Sequence, residues 1–209
     1  MPTITKLTED YIQEYKSIKD CLKKGIINYS ALSRLIGKDL GIEKKAKKEA
    51  ILIAARRYKE KIKGKTLEND IIGLFRKSNL EIKNNMVIFT LEKSIYPDSL
   101  IEIEKTIKKE KELFFSIEGK KTLTIIVQKQ HMNMVEKRFK NYIIAKKENL
   151  SLITLSSPGI DKIPGAVNYI TGFFFENEIN IEEFMSCHED TLIVVDSGKI
   201  NKVMDFLSF

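Results

Sequence analysis

Apolar residues recur at helical spacing through Tyr11, Tyr15, Ile18 and Leu22, a rhythm that predicts a first helix with Gly25 as its stop. Ser30 is the expected N-cap of a short second helix carrying Leu32, Leu35 and Ile36, closed between Gly37 and Gly41. A longer third helix has Ala46, Ala50, Ile53, Ala54, Tyr58 and Ile62 as its buried stripe, and a fourth over 67–77 shows Ile71, Leu74 and Phe75. Beyond residue 80 the period changes from helical to extended, which places a domain boundary near 77–79.

The pattern then predicts a strand over 86–91, a helix over 98–109, strands over 113–117 and 123–128, a helix over 132–139 and a strand over 142–145. Glu118-Gly119-Lys120-Lys121 reads as the hairpin turn between the middle strands. A second run follows with a strand over 150–155, a loop over 156–164, a helix over 165–176, strands over 181–186 and 192–195, and a helix over 199–207. Each run is a β-α-β-β-α-β pattern, the ferredoxin-like plan, but the second lacks an evident last strand. That strand is absent or supplied from elsewhere, by residues 79–82 or by another subunit. The expected class is therefore α+β: a basic helical domain over 1–79, with a helix-turn-helix as one reading, then ferredoxin-like units over 80–148 and 149–209.

Charge sharpens this division. Residues 1–79 carry 19 basic against 10 acidic side chains, 80–148 carry 14 against 10, and 149–209 carry 3 against 9. The reversal suggests different partners at the two ends, a polyanion at the front and a small polar ligand or a protein at the back. Lys44, Lys45, Lys47, Lys48, Arg56 and Arg57 decorate the third helix and are the candidate phosphate contacts if the compact turn at 25–30 belongs to a helix-turn-helix. The competing reading is a solvated charged face on a docking or dimerisation unit. No apolar run approaches the roughly 20 residues of a membrane-spanning helix, and the start has no charged-then-apolar signal pattern, so a cytoplasmic location is expected. Cys21 and Cys187 lie far apart and read as two reduced thiols, with no disulfide or metal role.

The stretch from Leu152 through Ser156-Ser157-Pro158-Gly159-Ile160-Asp161-Lys162-Ile163-Pro164-Gly165-Ala166-Val167, followed by Asn180-Ile181-Glu182 and Thr191-Leu192-Ile193-Val194-Val195-Asp196, resembles an ACT domain. It is especially similar to the second ACT unit of aspartate kinases, and the most specific part is Pro164-Gly165 opening a helix after a strand and loop. The first half resembles an ACT unit in element order alone. It offers Ser94-Ile95-Tyr96-Pro97-Asp98 where the family often has a glycine-bearing loop. The whole is similar to ACT-containing regulators of amino-acid metabolism in which a helical region with an Asn-Tyr-Ser-Ala-Leu stretch, here Asn28 to Leu32, precedes the ACT modules. The resemblance implies an amino-acid-responsive regulator, a homodimer, and ligands bound between paired units. The residues it maps are Ser157, Gly159, Ile160, Asp161, Ile163, Pro164, Gly165, Ala166, Val167 and Asn180.

Elementary chemistry agrees with that mapping. Glycines let the backbone approach a ligand, proline suits a helix start, and a helix N-terminus favours a carboxylate. The amino group of an amino acid would need acceptors, for which Asp161, Ser156 or loop carbonyls are candidates. The plain alternative is a tight strand-to-helix connection whose glycines serve geometry, in an assembly module without ligand. Other chemistry is thin. Cys187-His188-Glu189-Asp190 sits at a turn between strands, and Gly64-Lys65-Thr66 lacks the upstream glycine and strand of a phosphate loop. No nucleophile elbow is present. Nothing here could house a kinase domain, so no kinase activity and no cofactor are expected.

Overall fold

A computed structural model describes residues 2–62, 67–94 and 97–207, with the backbone alone at 45, 46, 67, 68 and 97. Ile95 and Tyr96 of the first unit's loop, and the Gly64-Lys65-Thr66 stretch, lie outside the described residues. The chain divides into two compact units, Met1–Lys65 and Thr66–Phe209.

The first unit is helical: α1 (Ile4–Glu14), α2 (Lys16–Lys24), α3 (Tyr29–Asp39) and α4 (Lys45–Ile62). The helix expected through Tyr15 is broken there, because Tyr15 adopts an extended backbone and caps α1 by donating its N–H to the Tyr11 carbonyl. Gly25 ends α2 in the left-handed conformation. The N-cap of α3 is Asn28, whose side chain accepts from the Ala31 N–H at 3.0 Å; Ser30 already lies inside the helix and cannot take this role. Tyr11, Ile12, Leu22, Leu32, Ile36, Ile51, Ala55 and Tyr58 form the core, and the Tyr11 hydroxyl donates to Asp39 Oδ2 at 2.5 Å.

In the second unit α5 (Leu67–Phe75) leads into one six-stranded antiparallel sheet with order β2-β3-β1-β4-β6-β5. Its elements are β1 (Asn79–Glu92), α6 (Pro97–Lys109), β2 (Phe114–Glu118), β3 (Thr122–Gln128), α7 (Met132–Phe139), β4 (Ile143–Ser156), α8 (Ala166–Glu176), β5 (Glu183–Cys187), β6 (Asp190–Asp196) and α9 (Ile200–Leu207). The two short strands expected at 142–145 and 150–155 are one continuous strand, β4, and β1 begins well before residue 86. Both long strands run through a bulge: the register slips between Lys83 and Met86 and again between Met86 and Ile88. Asn85 and Asn149, each with φ 59, take the left-handed backbone at these two sites, a conformation asparagine tolerates better than most residues.

These two strands are shared between two ferredoxin-like units. Residues 86–92 of β1 open the first unit and residues 143–147 of β4 close it; residues 150–156 of β4 open the second. The last strand that the second unit lacks is supplied from within the chain, by residues 79–83 of β1, paired with residues 152–156. Alternation puts Val87, Phe89, Leu91, Ile125 and Val127 against α6 and α7, and Ile153, Leu155, Ile193 and Val195 against α5, α8 and α9. The other face carries Met86, Ile88, Ile126, Leu150, Leu152, Leu192 and Val194. Burial of each such side chain contributes on the order of 1.5–3 kcal/mol. Among the described residues no helix is long and apolar enough to cross a membrane.

Candidate functional site

The site starts where β4 ends. Ser156 still pairs with Asp190 across the sheet, and its hydroxyl donates to Asp190 Oδ1 at 2.6 Å. The next residue, Ser157, is fully buried, with its N–H on the Glu189 carbonyl at 2.8 Å and its hydroxyl 2.6 Å from that of Ser78. From there Gly159, at φ 87, reverses the chain into a single 3-10 turn over Ile160–Lys162. That turn is held by Ile160 N–H on the Ser157 carbonyl and Lys162 N–H on the Gly159 carbonyl. Ile160 and Ala166 are buried in the core beneath α8, and Ile163 packs against the same cluster. Pro158, Asp161, Lys162, Pro164, Gly165 and Val167 face outward. Three apolar side chains and a buried serine therefore fix the loop while its backbone stays accessible.

The start of α8 completes the arrangement. Gly165, at φ 89, is its N-cap residue and supplies no capping side chain. Among the described residues the N–H groups of Val167 and Asn168 find no acceptor. Unsatisfied donors and the helix dipole favour an anionic group here. Asp161 Oδ2 lies 3.8 Å from His188 Nδ1, so a carboxylate and an imidazole border the same loop from its turn and from the β5–β6 hairpin.

The residues expected to act together thus mostly do meet: Ser156, Ser157, Gly159, Ile160, Asp161, Ile163, Pro164, Gly165, Ala166 and Val167 form one continuous loop and helix start. Asn180 does not join them within the chain. The register pairs Cys187 with Asp190 beside the loop and Glu183 with Val194 farther along, so Asn180 lies toward the opposite end of β5. Its amide donates to Glu182 Oε1 at 2.9 Å, and the other Glu182 oxygen accepts from Lys147. That lysine holds the Glu182 carboxyl below its ordinary pKa, with Asn180 assisting.

Two placements were not legible in the sequence. Ser78 bonds Ser157 from 79 positions away, and a Cβ at Gly165 would lie 3.9 Å from Ile71 Cδ1 on α5. Neither has a local signal, since both depend on where α5 packs.

In the helical unit Lys44, Arg56 and Arg57 are exposed and Lys47 and Lys48 half-buried, the Lys48 stem running beside Gly37. The Lys45 side chain lies outside the described residues. Arg56 stacks over the Tyr29 ring at 5.4 Å. Lys44, Lys47, Lys48 and Arg57 have no acidic partner within 4.0 Å among the described residues, whereas Lys6 and Lys61 are paired with Asp10 and Glu9. Cys187 is exposed and Cys21 half-buried, and no group of three histidine, cysteine or acidic side chains among the described residues is arranged to hold a metal.

The sheet unit invites comparison with solved structures. Aspartate kinase from Clostridium acetobutylicum, described as an allosteric enzyme, superposes with a TM-score of 0.53 at 14% identity. The match covers 62% of this chain and 33% of the enzyme. The α/β unit has the ACT-type fold of aspartate kinase regulatory regions. Regulatory subunits of aspartate kinase from Thermus flavus and from Thermus thermophilus, the latter ligand-free, give TM-scores of 0.51 and 0.50, each at 7% identity. Each match covers 62% of this chain, and 94% and 95% of the respective subunit. The chain thus matches one third of the Clostridium enzyme but nearly all of the two regulatory subunits. No family model matches the chain, and no match was found among curated proteins.

Proposed function

We propose that the protein is a non-catalytic regulator that binds an amino acid through paired ACT units, those of residues 80–148 and 149–209 with residues 79–83 completing the second, and assembles as a homodimer. The observation that carries this reading is the loop from Ser156 to Val167. Its buried pins hold two left-handed glycines and an uncapped helix start in place, which is a preformed cradle for a carboxylate. Asp161 is the acceptor for the ligand's amino group. Asn180 enters such a site only from a second unit, which is why the reading includes a dimer. Calorimetric titration of the full chain with amino acids tests it: one of them should bind, and Gly165→Val should abolish the binding while leaving the fold. Heat changes indistinguishable from dilution throughout would leave the assembly-module reading in possession.

A second reading is favoured by a separate observation: Lys44, Lys47 and Lys48, at and near the start of α4, have no acidic partner within 4.0 Å among the described residues. On this reading the helical unit contacts the phosphates of a nucleic acid through Lys44, Lys45, Lys47, Lys48, Arg56 and Arg57, and ligand binding at the loop biases that contact. A metabolic enzyme docking on the same unit is the alternative partner. Pull-down with and without amino acids, and binding to duplex DNA or RNA at low salt, separate the two.

A further inference from the structure

In the first ferredoxin-like unit one helix, α7, both follows β3 and leads into β4, ending at the fully buried Phe139. In the second unit these two tasks are divided. Helix α9 follows β6, while α5, ending at the buried Phe75, leads into β1 because the last strand comes from earlier in the chain. The second unit therefore has a helix that the first does not need, and α5 lies against the start of the candidate loop and of α8. Its two ends of contact are specific. Ser78, just past α5, donates its hydroxyl to the Leu74 carbonyl at 3.1 Å. With that proton committed, the Ser157 hydroxyl donates to Ser78 across 2.6 Å. Ile71, one turn earlier than Phe75, faces Gly165, and Phe75 sits 5.8 Å from the Tyr169 ring on α8.

We propose that α5 is a latch on the loop. The Ser157–Ser78–Leu74 chain and the packing of Ile71 and Phe75 in one buried cluster with Ile160 and Ala166 make opening of the loop and release of α5 one event, so that a ligand held by the loop fixes α5, the first helix after residues 63–66. The last clause rests on the ligand reading above; the coupling itself does not. Ser157 and Ser78 are positioning residues in this account, acting through the loop backbone. A two-state element biased by a ligand at one of its ends is what a regulatory transition requires.

Amide hydrogen exchange on the full chain tests the coupling. Ser78→Ala removes a hydroxyl outside the loop, and Ser157→Ala removes its partner within it. Each should speed exchange in both segments, 67–78 and 156–165, by a common factor of roughly three- to tenfold, the range set by one missing hydrogen bond. The double variant should be no faster than either single one, and segments in α6 and α7 should keep their wild-type rates. These substitutions are small enough to leave the fold, and unchanged α6 and α7 rates verify that. Faster exchange confined to the mutated segment, or additive effects in the double variant, would overturn the latch. Coupled exchange together with no response to any of the twenty amino acids would uphold the latch and sink the ligand reading.

Discussion

Gly159 and Gly165 set the course of the loop, at φ 87 and 89. Nothing lies within 4 Å of a Cβ built at Gly159, and a Cβ at Gly165 would meet Ile71 Cδ1 at an ordinary van der Waals distance. The cost of either glycine-to-alanine change is therefore conformational, about 1–2 kcal/mol, measurable by urea unfolding. Costs near zero would mean that the loop relaxes out of the left-handed region. Glu182 supports a different expectation. Its folded pKa is depressed by Lys147, so its contribution to stability is present above the unfolded carboxylate value of about 4.3 and is lost as the pH falls through the folded value. The stability deficit of Glu182→Gln relative to wild type should thus shrink as acid is added. A deficit independent of pH would contradict the pairing.

The two bulged strands carry a test of how the units are joined. Lys83-Asn84-Asn85 and Lys147-Glu148-Asn149 have the polar look of turns, and period-2 reading ends or begins strands there. In the structure the asparagines absorb the extra residue and the strands continue, because both flanks have partners across the sheet. Asn149→Gly should be tolerated, whereas Asn149→Val should cost about 1–3 kcal/mol for a β-branched residue in the left-handed region, again by urea unfolding; equal stabilities would show that the bulge does not require this backbone. Helix positions in the sheet unit, by contrast, were legible, since α6 through α9 bury one stripe each, whereas the break between α1 and α2 at Tyr15 was not. The loop was legible from Gly159, Pro164 and Gly165, whose backbone chemistry is local. Its anchor was not: Ser157 is readable as a loop residue, but Ser78 is placed by the pairing of β1 with β4. For the missing strand the pattern left three options, absence, residues 79–82 or another subunit, and only that pairing decides among them.

Taken as a molecule of two units, the chain separates its chemistry. The helical unit holds Lys44, Lys47 and Lys48, which have no acidic partner within 4.0 Å among the described residues, and the sheet unit holds the loop. If the helical unit contacts phosphates, affinity for duplex DNA or RNA should fall steeply with salt, and replacing Lys44, Lys47 and Lys48 by alanine should reduce that slope by about 1 for each phosphate no longer neutralised. Absence of retardation at low salt would remove nucleic acid from the account. The claim on which the rest depends is that the Ser156 to Val167 loop binds an amino acid. Thermal unfolding of the full chain with each of the twenty amino acids in excess tests it most directly. At least one should raise the melting temperature, at about 100-fold excess over its Kd by an amount equivalent to roughly 2.7 kcal/mol. A melting temperature unmoved by all twenty would contradict it.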